Sequence, residues 1–335
     1  MMNVFSRGGP LREIAPPGLI DLGNKEIWKT LNERPFLFSH RLAHHPLFTL
    51  PRLAQLSELA FDRPDYGRYI AANEVSLPKG ELKRRLHQDI LNIGSNGKWI
   101  GLHYIDEMHE DYAALYESLL VDIEQLTGFP VRRRMAWGSM SVFISAPGLV
   151  TPYHFDHDTN FLMQVQGEKE VRLYPRGLAT LTLEEIEDFY HHNPVAGRYR
   201  DDLASAGESF FLKPGNAVHH PPLAAHQVRN GQEVSVSVAI YYVTPDMEEQ
   251  ARVHQANYCL RRMGLRPRPV GASRFWDGVK SGVMKGISKS RPRTHDEMLY
   301  SGILRVRAPL KLAKTLKQSV VSRLRRAPAH LSSPP

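Results

Sequence analysis

The chain has 335 residues, 42% hydrophobic and 23% charged, with a formal net charge of +8. This composition excludes a disordered or collagenous chain and allows one enlarged domain or two. A single cysteine, Cys259, excludes an intrachain disulfide and any multi-cysteine zinc or iron–sulfur site.

No apolar run reaches the roughly 18 residues of a membrane span, and the opening MMNVFSRGGPLREIAPPG has neither the apolar region nor the cleavage site of a leader. The expectation is a cytoplasmic protein. The charge is unevenly spread: residues 247–335 hold 19 Lys+Arg against 5 Asp+Glu, while residues 1–246 hold 24 against 30. A basic tail of this kind favours an anionic partner such as nucleic acid, the ribosome or a membrane surface, where the protein would be peripheral.

In chain order, residues 1–105 show Pro and Gly punctuation, a histidine-rich patch (His40, His44, His45) and no clear period. From Glu107 to Leu126 the apolar residues Tyr112, Leu115, Tyr116, Leu119, Ile123 and Leu126 recur every three or four positions, which predicts an amphipathic helix ended by Gly128 and Pro130. Short segments rich in Val, Ile, Phe and Tyr follow at 139–145, 160–165, 169–174, 209–212 and 234–243, separated by the turn signals Ala146-Pro147-Gly148, Gln166-Gly167-Glu168, Pro214-Gly215-Asn216 and Asn230-Gly231. They predict antiparallel strands of a barrel or sandwich. One helix interrupts them, because Thr182 and Glu185 have capping-box spacing. Beyond Pro245 a helix is expected over 247–263. Within 310–326 an apolar stripe (Leu312, Ala313, Leu316, Val320, Leu324) opposes Lys311, Lys314, Lys317, Arg323 and Arg325, a pattern that suits a partner subunit or a membrane surface.

The chemistry concentrates in TPYHFDHDTNFLMQVQGEKEVRLYP and, about 50 residues on, PGNAVHHPPLAAHQV. On a strand, residues i and i+2 share a side, so His154 and Asp156 aim an imidazole and a carboxylate one way, and His226 can supply a third ligand from an opposite strand. Two His and one carboxylate on one face of a metal leave positions open for reactants, as in non-haem iron oxygenases. His157, next to Asp156, is expected to face away. Neither His219 nor His220 is favoured as a ligand.

These segments hold Thr151-Pro152-Tyr153-His154-Phe155-Asp156, Asn160-Phe161, Gly167-Glu168-Lys169, Pro214-Gly215-Asn216, Pro221-Pro222 and His226 in order. In this the stretch of about 130–245 resembles the JmjC-type (jumonji-C, cupin-like) family of Fe(II)- and 2-oxoglutarate-dependent oxygenases, especially the branch typified by factor-inhibiting-HIF asparaginyl hydroxylase. The resemblance implies a mainly β fold with flanking helices, a double-stranded β-helix (jelly-roll, cupin-like) barrel with helical N- and C-terminal extensions. The expected divisions are 1–128 for an N-terminal mixed or helical extension packing on the barrel, 129–246 for the barrel and 247–335 for a basic helical extension with a frayed end.

The resemblance also implies that His154, Asp156 and His226 bind Fe(II), that Lys169 pairs with the distal carboxylate of 2-oxoglutarate, and that Thr151 and Asn160 contact or support this cosubstrate. O2 is the oxidant of the implied reaction, a C–H hydroxylation. A hairpin after Gly167 would return the Lys169 ammonium to the cavity. Two departures stand out: Ala224-Ala225 replace aromatic residues common before the distal His, widening the space beside the metal, and Ala239 stands where the related hydroxylase has Asn. The expected substrate is a protein side chain. The alternatives are a small molecule or glycolipid, demethylation by the same oxidant, and a non-catalytic cupin-like binding or regulatory protein. Helices after the barrel mediate dimerisation in relatives, so a homodimer is expected.

Overall fold

A computed structural model describes residues 18–306, apart from 22, 24 and 73–76. Its strands are β1 Phe36–Ser39, β2 Ile70–Ala72, β3 Trp99–Leu102, β4 Trp137–Ser145, β5 Val150–His154, β6 Thr159–Gln166, β7 Lys169–Leu173, β8 Glu208–Leu212, β9 Asn216–His220, β10 His226–Asn230 and β11 Ser235–Val243. They form two sheets, in the orders β1-β9-β6-β11-β4-β3-β2 and β5-β10-β7-β8, with every pairing antiparallel. The result is a jelly-roll with helical flanks.

Side-chain alternation assigns each face. On β6, Phe161, Met163 and Val165 join an outer core with Val236, Val238, Ile240 and Tyr242 of β11. The helices Leu50–Phe61 and Glu110–Thr127 bury their apolar faces in that core. The opposite face of β6 turns Leu162 inward, where it meets Val171 and Leu173 of β7, Phe210, Leu212, Val218 and Ala239. A third core lies outside the smaller sheet: Tyr153, Phe155, Tyr174, Phe189 and Tyr190 pack with Ala251, Leu299 and Ile303 of the C-terminal helices. Each such fully buried side chain stabilises the fold by about 1.5–3 kcal/mol.

The helix expected over 107–126 is Glu110–Thr127, closed by Gly128 at φ 69°. The capping box at Thr182 starts the helix Leu183–Tyr190, with both reciprocal hydrogen bonds made. The expected helix at 247–263 is Pro245–Arg262, and a further helix, Arg274–Ile287, and a helical stretch at 295–306 follow it. The apolar stripe within 310–326 lies outside the described residues.

Two expectations change. β1, β2 and β3 come from the stretch without a clear period, yet they form both ends of the seven-stranded sheet, so residues before 129 build the sheet as well as cover it. The turn after β6 is no hairpin. β6 belongs to the larger sheet, while β7 pairs with β8 and β10, so Gly167-Glu168 carries the chain across from one sheet to the other. Gly167 sits at φ 68°, where a Cβ would come within 2.3 Å of the Val234 carbonyl oxygen, and only glycine fits this crossing.

Candidate metal centre

β5 and β10 pair antiparallel with His154 opposite His226, then Thr151 opposite Val228. Three residues of β5 therefore span two of β10, a bulge that turns Thr151 and His154 to the same side although they are three apart. β5 stops at His154. Asp156 comes from the loop that follows and not from the strand itself, with its backbone carbonyl accepting from the amide of Leu223 at 2.8 Å. The three residues do come together, through a local structure that differs from the one the i, i+2 argument assumed.

The His154 and His226 rings lie with centroids 4.1 Å apart, and His226 Nε2 is 3.7 Å from Asp156 Oδ2. Ligand atoms of all three lie within 4.8 Å of one another. Backbone carbonyls orient both rings: His154 Nδ1 donates to the Pro152 oxygen at 2.8 Å and His226 Nδ1 donates to the Ala224 oxygen at 3.1 Å. A carbonyl only accepts, so each Nδ1 carries a proton and Nε2 is the nitrogen each ring can offer a metal. Burial, reinforced by the neighbouring His154 ring, holds the His226 pKa well below its ordinary value and keeps it neutral.

The three groups line a cavity of about 120 Å³ together with Thr151, Asn160, Lys169 and His220. Lys169 shares the inward face of β7 with Val171 and Leu173, is 6% exposed, and has no hydrogen-bond or carboxylate partner among the described residues. Burial alone lowers its pKa to about 7. An unpaired buried ammonium is costly, and an anion in the cavity would relieve that cost. The Asn160 and Asn230 Oδ1 atoms and both ring nitrogens of His220 also lack hydrogen-bond partners among the described residues. The donor set suits a divalent transition metal, and these polar groups suit a small anionic ligand beside it.

Several lining residues were not singled out in the sequence. Trp99 of β3 stacks on Phe143 of β4, with ring centroids 6.0 Å apart, and both wall the cavity. The apolar WIGL of β3 was the available signal, but four residues are too few to establish a period. His220 enters the cavity with its ring 4.6 Å from that of His226, although it is outside the three-residue set. Ala224 and Ala225 are buried in apolar clusters and neither lines the cavity, so they do not widen it. His157 turns away to stack on His295. A larger open depression of about 590 Å³, lined by Glu184, Asp188, Arg198, Arg200 and Arg261 among others, brings no comparable donor set together.

No helix among the described residues is long and apolar enough to cross a membrane. No curated protein matches the chain. Among solved structures, YcfD of Escherichia coli is similar at 14% identity and a TM-score of 0.43, covering 88% of this chain and 68% of that one. A structure described as the E. coli ribosomal oxygenase YcfD in complex with cobalt and 2-oxoglutarate is 14% identical with a TM-score of 0.40, over 84% of this chain and 66% of that one. The DMSP lyase DddQ of Ruegeria pomeroyi is 15% identical with a TM-score of 0.21, over 31% and 38%. Residues 50–248, more than half of the chain, match the model of the cupin-like domain, and the chain belongs to that family.

Proposed function

We propose that the protein is an Fe(II)- and 2-oxoglutarate-dependent dioxygenase that hydroxylates a C–H bond, with a protein side chain as substrate. One observation carries this reading: a small cavity holds both a two-histidine, one-carboxylate set and an unpaired buried lysine. His154, Asp156 and His226 would hold the iron and leave part of its coordination shell open. Bound there, iron with 2-oxoglutarate and O2 supplies the oxidising power for an unactivated C–H bond, which side chains alone lack.

The protein's own residues bind and orient. Lys169 would receive the distal carboxylate of 2-oxoglutarate, with Thr151 and Asn160 as neutral hydrogen-bonding groups beside it. Trp99, Phe143, Leu162 and Val228 give the cavity apolar walls that exclude water. The carbonyls of Pro152 and Ala224 keep the two imidazoles in the ligating tautomer. The Asp156 side chain is 42% exposed, so the reacting edge opens toward solvent, which supports a residue presented on another protein's surface as substrate. A contact of the basic tail, residues 247–335, with an anionic surface is part of the same reading, and of that tail residues 307–335 lie outside the described residues.

The test is succinate release from 2-oxoglutarate by the full chain with Fe(II) and O2, alongside calorimetric binding of 2-oxoglutarate. Succinate from the wild type that disappears in His154→Ala supports the reading. Absence of both turnover and 2-oxoglutarate binding rejects it in favour of a binding protein.

A further inference from the structure

Immediately beyond Asp156 the chain reverses its facing, and His157 enters a second cluster with Glu248 and His295, whose ligand atoms also lie within 4.8 Å of one another. Glu248 sits in the first turn of the helix Pro245–Arg262, and His295 opens the helical stretch 295–306. All three are buried, with 4%, 3% and 8% exposure for His157, Glu248 and His295.

Hydrogen bonding satisfies this cluster only in part. His157 Nε2 and His295 Nε2 are 3.1 Å apart, so one must carry a proton and the other accept it. Glu248 Oε1 lies 4.0 Å from His295 Nε2, beyond hydrogen-bond reach, and has no hydrogen-bond partner among the described residues. The other carboxylate oxygen, Oε2, faces Arg252 Nη1 at 3.4 Å. A buried carboxylate oxygen therefore points without a partner at two imidazole nitrogens.

A cation placed among them engages all three atoms. With metal–donor bonds of roughly 2.0–2.2 Å, tetrahedral geometry separates neighbouring donors by roughly 3.2–3.6 Å, and the observed 3.1 and 4.0 Å bracket that spacing. Two imidazoles and a carboxylate suit zinc and its first-row neighbours.

We propose that His157, Glu248 and His295 form a second metal site, a buried three-ligand structural site, closed to bulk solvent, for a zinc-class divalent cation whose fourth ligand is water. The site ties the last helical stretch and the first helix after the barrel to the loop that carries Asp156. Its three ligands come from positions 157, 248 and 295, so it cross-links segments that are distant in the chain. This inference does not depend on the oxygenase reading.

The experiment uses the full chain, stripped with a chelator and reloaded with Zn(II), with bound zinc counted per chain by elemental analysis and folding checked by circular dichroism. The wild type is expected to hold two ions and the double variant His154→Ala/His226→Ala one. Adding Glu248→Gln or, separately, His295→Gln to that double variant should weaken the remaining ion by more than the roughly 10- to 100-fold that loss of an outer partner costs. Cobalt(II) in the double variant should give the intense visible bands of a four-coordinate ion.

One ion in the wild type that vanishes in the double variant leaves the barrel site standing and overturns the second. One ion kept in both, and lost with Glu248→Gln, supports the second site and rejects the barrel as a metal centre. Retention of the ion in both Glu248→Gln and His295→Gln overturns the proposal, as does an absence of bound zinc throughout.

Discussion

Two sets of two histidines and one carboxylate stand on either side of the same loop, and they differ in almost everything except their donors. His154, Asp156 and His226 face a cavity, with Asp156 partly exposed and an unpaired lysine nearby. His157, Glu248 and His295 are sealed among helices, with Trp137 near-parallel to His295 on one side and Tyr190 edge-on to His157 on the other. The contrast teaches that donor identity alone would not distinguish the proposed reactive centre from the proposed clamp. An adjoining cavity and a neighbouring charge do.

Breaking the open set should have the largest effect. His154→Ala or Asp156→Ala is expected to lower succinate formation by more than about 100-fold, exceeding what loss of an outer partner costs, while the melting temperature stays near that of the wild type. Turnover that survives either change would remove the catalytic role of this set. The closed set should behave in the opposite way. Removing its ion should leave the fold intact but less stable by about 2.7 kcal/mol if the ion is supplied at 100 times its Kd. With an unfolding entropy of roughly 2.1 cal/mol/K per residue, a chain of 335 residues shifts by roughly 1.4 °C per kcal/mol, so the midpoint drops by about 4 °C. A scan of the barrel-site double variant with and without Zn(II) reads this directly.

The lysine sharpens the comparison, because only the open set has one. Lys169→Met should weaken 2-oxoglutarate binding by about 10- to 100-fold, the value of a charge-assisted hydrogen bond, with metal binding unchanged by calorimetry. The same residue sets a pH dependence. Its folded pKa lies at about 7 against 10.5 ordinarily, so between those values the unfolded chain holds a proton that the folded chain does not. Apo stability should therefore rise with pH across that window. Affinity for 2-oxoglutarate should run the other way, flat below about pH 7 and falling by up to about tenfold per unit above it, because the ammonium must be re-formed to meet the carboxylate. Titrations at several pH values with the wild type and Lys169→Met check this, and the variant should lose the slope. The smallest effect is expected at His220, which borders the open set without joining it. His220→Leu should leave metal stoichiometry unchanged, and loss of the ion in this variant would make His220 a ligand.

Much of the barrel was legible in the sequence, because β4, β6, β7, β8 and β11 run five to nine residues, enough to show alternation between turn signals. The open set was legible because its residues fall in two compact segments that a strand pair can join. β1, β2 and β3 were not, since three or four residues carry too little periodicity, and with them went Trp99 as a cavity wall. The bulge in β5 and the crossing at Gly167 are matters of pairing, and pairing depends on partners far along the chain. The closed set was least legible of all. His157 and His295 are 138 residues apart, and nothing local to either announces the other.

β5 lies at the outer edge of the four-stranded sheet, with its free side unpaired among the described residues. Pro152 sits in the middle of that strand and has no N–H to offer an incoming strand. The same residue whose carbonyl orients the His154 ring therefore discourages a second chain from zipping onto the rim of the cavity. Orientation of the His154 ring and resistance to aggregation converge on one residue, so a change at Pro152 would be felt first in the solubility of the protein and only then at the cavity.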